Sequence, residues 1–191
     1  MAAAATIRIE PGHCISSAPI PALRFMETNE TRLALIAGLI EVALDAGLRG
    51  AEWVDEKGLD WCSEAYNGIG PEFLPPALRA KVTQWLHLFE PAALIHDARN
   101  HVSDGFRAAF ERANEEFLHN CLVLANRAYP WWRWERYRAR AAAWAMFEFV
   151  SSDSIGWRAW LEAHERFVAR TAPEVAPSYP GNTTKPPEGT Y

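Results

Sequence analysis

Apolar and polar positions along this chain follow the α-helical period in six stretches, and no stretch of useful length alternates with the two-residue period of a half-buried strand. Thr28 or Asn29 is placed to cap a helix through Ala46, with Gly47 where the helix should stop. Its apolar residues (Leu33, Leu35, Ile36, Leu39, Ile40, Val42, Leu44) surround most of the circumference, as in a helix buried on several sides. Residues 50–74 read as irregular, because Gly58, Gly68, Gly70 and Pro71 interrupt any pattern. Pro75 and Pro76 suit the first turn of a helix carrying Leu78, Val82, Trp85, Leu86 and Phe89. Glu90-Pro91 opens a further helix, AALIHDARNH, and Ser103-Asp104-Gly105 predicts a turn with an N-cap. The clearest stripe follows: Phe106, Phe110, Ala113, Phe117, Cys121, Leu124 and Ala128 recur three or four residues apart until Tyr129-Pro130. Two more helices are predicted over 132–150 and 153–170, the last striped by Trp157, Trp160, Leu161, His164, Phe167 and Val168.

The predicted fold class is therefore mostly α: a single helical domain over residues 28–170. Its centre is an antiparallel helix pair, 91–101 and 105–128, that should place Ile95 and Phe110 in one core. Residues 1–27, punctuated by Pro11, Pro19 and Pro21, read as an extended N-terminal arm with room for one short strand around Ile7–Ile9. Residues 171–191 hold five prolines and almost no apolar content, so they read as a Pro-rich C-terminal tail that gains order only across another chain.

Composition narrows the function classes. A chain of 191 residues that is 49% hydrophobic can bury the core of one domain, which excludes a wholly disordered protein. Nineteen basic against 24 acidic residues, net charge -5, argue against global nucleic-acid binding, and no nucleic-acid partner is expected. Three scattered cysteines, Cys14, Cys62 and Cys121, suit neither a disulfide scaffold nor a zinc ribbon. His96 and His101 are five apart and diverge by about 140° on a helix, unlike the four-residue spacing of zinc-binding helices. The longest strongly apolar run, Leu33 to Ile40, is about half a membrane span, and the first residues lack the pattern of a secretory signal.

Nine tryptophans exceed the need of one small core. Arg127, Arg133, Arg136, Arg138 and Arg140 are interleaved with Trp131, Trp132, Trp134 and Tyr137, a mixture suited to lipid headgroups, phosphates or a protein interface. For most of them the expectation is an amphipathic helix, aromatics inward and arginines solvated. Trp131, Trp132, Arg133 and Trp134 are the candidate interface, with Tyr179 and Tyr191 as anchors of the tail.

His96-Asp97 is the candidate chemistry. Adjacent helical residues point about 100° apart, so the ring can face a reactive water while the carboxylate faces a cation. Backbone carbonyls of the loop near Gly68 and Gly70 would complete an oxygen-rich calcium site. The competing expectation is a packed or capping histidine.

DWCS at 60–63, LIHD at 94–97, SDGF at 103–106, ANEEFLHNC at 113–121 and YPWW at 129–132 stand in an order that resembles a group of phage- and prophage-encoded proteins. These have a helical core loosely similar to phospholipase A2, and the likeness spans about residues 58–150. The resemblance implies that His96 is a general base, that Asp97 is a calcium-binding carboxylate, and that an acid on the partner helix orients the ring. Asn114 occupies that last position; its amide can hold a ring but lends the imidazolium no charge. Glu115 faces away from the stripe, and the doubled cysteine that braces the helix in phospholipases is missing. Cys62 and Cys121 would pair as in oxidised relatives, or stay buried thiols.

Two functions follow from the resemblance. One is a phage-type structural or interaction protein on a degenerate phospholipase-like core, with no cofactor. It would be made in the bacterial cytoplasm and incorporated into a phage particle. Its partners would be other chains of an assembly, further copies of itself included, with membrane-surface contact as an addition. The alternative is a calcium-dependent lipid ester hydrolase that uses His96 as general base.

Overall fold

In the computed structural model, which describes residues 28–68 and 86–172, the first helix starts where the capping residues predict. Thr28 is extended, and its hydroxyl oxygen accepts from the Thr31 amide at 3.4 Å at the head of α1 (Asn29–Asp45). Gly47, at φ +64°, turns the chain out of it. Ile36, Leu39, Ile40 and Ala43 are buried, but Val42 and Leu44 are exposed. Among the described residues the apolar circumference is covered on the side from which α2, α3 and α4 approach.

Residues 51–65 depart from the irregular expectation: they form α2 (Ala51–Lys57) and α3 (Leu59–Ala65). Gly58, at φ +82°, separates the two helices without preventing either. Seven residues are too few for a periodic signal, but glycine at both ends of AEWVDEK, with Glu52 in the first turn and Lys57 in the last, was a legible boundary pattern. Arg32 of α1 closes the end of α3, donating to the carbonyls of Ser63 and Tyr66 at 2.7 and 2.8 Å.

A 3-10 turn (His87–Phe89) leads into α4 (Glu90–His101), which has Pro91 in its first turn. Then come α5 (Arg107–Ala128), α6 (Trp134–Val150), a wide π turn (Asp153–Trp157) and α7 (Arg158–Thr171). The predicted helical domain is this arrangement; among the described residues there is no strand. The tail and the arm before Thr28 lie outside the described residues, as do Gly70, Tyr179, Tyr191 and all but the end of the helix predicted from Pro75 to Phe89, whose last residues form the 3-10 turn.

α4 is the centre. It touches α1, α2, α3, α5 and α7, and buries Ala92, Ala93, Leu94, Ile95 and Ala98. α4 and α5 run antiparallel: the short turn 102–106 joins the end of one to the start of the other, residue 96 meets 114 and 117, and the 87–89 turn before α4 also lies against α5. The turn between them does not cap α5 through Ser103 or Asp104. Asp104 accepts from the Phe106 amide at 2.9 Å, while the buried Ser103 hydroxyl donates to the Trp160 carbonyl at 3.0 Å.

Ile95 and Phe110 belong to different cores. Ile95 packs with Ile36, Val54, Leu94, Phe117 and Cys121. Phe110 packs with Ala113, Trp157 and Trp160. Because residue 96 is level with 114 and 117, Phe110 lies beyond the reach of Ile95 towards the turn, where α7 covers it. The stripes also shift at their ends: Phe106, Leu161 and Val168 are exposed, while Asn114 and Asn120 are buried on α5. Among the described residues no helix is long and apolar enough to cross a membrane.

Candidate functional site

The α4–α5 hairpin brings His96 and Asn114 together. Asn114 lies on the buried face of α5, and its Oδ1 is 2.9 Å from His96 Nε2. Asn100, one turn after His96 on the same helix, places its Nδ2 3.3 Å from His96 Nδ1. The ring also rests against Phe117, centroids 4.9 Å apart. One protonation state satisfies both contacts: neutral imidazole with Nε2–H donating to Asn114 and Nδ1 accepting from Asn100. Burial pushes the His96 pKa below its ordinary value, and the Asn114 bond opposes that shift in part.

This geometry does little for base catalysis. A general base needs a lone pair directed at the water it activates, and a nearby charge to hold the resulting imidazolium. The Nδ1 lone pair is taken by Asn100, and Asn114 brings no charge. Glu115 is exposed, away from the ring. Asn100 was missed in the sequence, although its four-residue spacing from His96 was the available signal.

Asp97 turns from α4 towards α3. Its Oδ2 accepts from the Asn67 amide at 2.9 Å, next to Gly68 at φ +81°. The carboxylate borders a cleft of about 240 Å³ shared with Glu64, Asn100, His101, Arg166 and Arg170. Calcium would require several carboxylate and carbonyl oxygens converging on one point. Here two guanidinium groups line the same cleft, and a backbone donor holds one Asp97 oxygen, so the described residues do not fit the ion. Burial, then Arg170 and Arg166, lower the His101 pKa, with Glu64 opposing.

Cys62 and Cys121 are buried free thiols rather than a disulfide. Cys62 donates to the Val54 carbonyl at 3.3 Å. Burial raises both thiol pKa values, and Asp55 adds to the effect at Cys62, so neither is a poised nucleophile.

The arginine–tryptophan segment reverses the inward-aromatic expectation. Trp131, Trp132, Trp134 and Tyr137 are 70%, 65%, 59% and 63% exposed. Two arginines instead turn back to neighbouring helices, Arg127 pairing with Asp45 at 2.5 Å and Arg140 reaching Asn126 at 3.3 Å, while Arg133 pairs locally with Glu135 at 2.9 Å. Arg138 stacks over Trp134 at 4.6 Å. Within α6, the side that meets α5 carries mostly small residues around Ala143, with Met146 and Val150, so the rings of Trp134, Tyr137 and Trp144 lie on the other side. No family model, curated protein or solved structure matches this chain.

Proposed function

We propose that this chain is a phage-type structural or interaction protein whose phospholipase-like helical pair serves as scaffold. The observation that carries the reading is the aromatic surface of residues 131–144, with three tryptophans and a tyrosine each more than half exposed. Exposed tryptophan beside arginine is the composition of binding hot spots, where a rigid ring contributes area at little entropic cost. The bonding of His96 supports the same reading, because both ring nitrogens serve the hairpin and neither is left for a water.

The test is a comparison of the tagged full-length chain with its Trp132→Ser/Trp134→Ser variant, each produced together with the proteins of the assembly. The wild type should retain other chains and the variant should lose them, with unchanged helical circular dichroism. Both proteins should leave phospholipid micelles intact in the presence of calcium. Lipid hydrolysis that disappears in His96→Ala would overturn the proposal in favour of the hydrolase.

A further inference from the structure

The outward side of α6 carries Trp134, Tyr137, Ala141, Trp144 and Glu148, separated alternately by three and four residues. All five are exposed. The opposite side, with Ala139, Ala143, Met146 and Val150, lies against the main core. A three–four repeat along one face is the seam of a left-handed helix pair, and here no helix among the described residues covers the seam.

Charge along the helix says what fits it. Arg133, Arg136, Arg138 and Arg140 crowd the first half against one acid, Glu135, while Glu148 is the only charge from 141 to 150. Among the described residues neither Arg138 nor Glu148 forms an ion pair. A parallel copy would set basic half on basic half. An antiparallel copy brings each basic half to the other's Glu148, and it also opposes the two helix dipoles favourably. Size agrees with charge: with Trp144 laid over the partner's Ala141, the large ring enters the gap of the small residue, and Tyr137 and Arg138 come level with the partner's Glu148. A lipid surface would instead leave the Glu148 carboxylate facing hydrocarbon without a counter-charge.

We propose that two copies of this chain associate antiparallel through α6, which rests on the reading of the aromatic surface as a protein-binding one. The seventeen-residue helix is about 25 Å long, roughly two and a half heptads. A free peptide of that length would be a marginal helix. On α5 it is already ordered, so association needs no folding and should fall in the micromolar range.

Sedimentation equilibrium of the full-length chain tests this, from low to high micromolar concentration. The mass should rise from 21.5 kDa towards twice that value. Arg138→Glu and Glu148→Arg should each weaken association by about tenfold or more, and the combined swap should restore it. Both positions are exposed, so helical circular dichroism should not change. Trp144→Ala should also dissociate the pair, independently of charge. A chain that stays monomeric throughout, or a double swap no better than the single ones, would overturn the proposal. So would a monomer that adsorbs to phosphatidylglycerol vesicles through this face. A monomer that still retains other chains defeats this dimer but leaves the interaction reading standing. A His96-dependent lipase defeats that reading, whatever the mass.

Discussion

The α4–α5 hairpin and the helix that follows it, α6, solve opposite problems. In the hairpin, polar side chains are drawn inside and each makes at least one bond, although Asn114 Nδ2 is buried with no partner among the described residues. His96 is held between Asn100 and Asn114, and the fully buried Asn120 joins both backbone groups of Arg49, accepting from its amide at 2.9 Å and donating to its carbonyl at 3.0 Å. In α6 the rings of Trp134, Tyr137, Trp144 and Phe149 are put outside, and Ala143 alone is fully inside. Buried amides cost free energy unless bonded, so they lock one arrangement of the hairpin. Exposed aromatics lock nothing in the monomer. The hairpin thus serves stability, while the rings of α6 add little to it; tryptophan marks the core at Trp160 and the surface at Trp134 and Trp144.

Truncations should separate the two regions most sharply where the ring is buried. Phe110→Ala removes a ring packed between Trp157 and Trp160 and should cost about 3–5 kcal/mol in urea unfolding. Next, Asn120→Ala should cost about 2–3 kcal/mol, since it removes two hydrogen bonds to the loop between α1 and α2. A value near zero would mean that water replaces the clamp and that the hairpin owes its order to apolar contact alone.

Gly50→Ala tests the same loop from the backbone. Its φ is +82°, and a Cβ there would come 2.5 Å from Glu116 Oε1, so a loss of about 1–2 kcal/mol is expected in the same unfolding experiment.

The polar interior also has a pH signature. His96, His101 and His119 all have pKa values lowered from 6.5, with burial as the first cause. Above the ordinary value both the folded and unfolded forms are neutral, and stability does not depend on these rings. Below it the unfolded chain takes up protons that the folded rings resist, so stability falls with pH until the folded values are passed. His96→Gln should make that fall shallower in urea titrations taken between neutral and mildly acid pH. The smallest effect belongs to the turn that leads into α6: Trp132→Ser should change monomer stability by less than about 0.5 kcal/mol, and a larger loss would mean that the aromatic surface is structural after all.

The hairpin was legible in outline and opaque in detail. The recurrence of Phe110, Phe117, Cys121 and Leu124 marked α5, and the short SDG turn marked an antiparallel return. The same stripe misjudged Phe106, which is exposed at the head of α5, whereas Asn114, expected to hold the ring, is indeed buried against it. His96 and Asn114 were paired through the resemblance, while Asn100 and Asn120 carried no signal strong enough to mark them as partners of a ring and of a loop. At α6 the excess of tryptophan was readable from composition, but its direction was not.

What the sequence determined by itself is local: where the long helices begin and end, and that they dominate. Caps, prolines, glycines and a 3.6-residue period act within a few residues, so Thr28, Gly47 and Tyr129-Pro130 mark boundaries without help from the fold. Only the tertiary structure decided which polar groups meet and which faces close. Asn120 finds Arg49 across 71 residues and Ser103 finds Trp160 across 57, contacts whose energy exists only after the helices have docked. The open face of α6 has the same origin. Two sides of one helix can carry equally apolar side chains, and the side that docks is the one whose small residues let α5 approach.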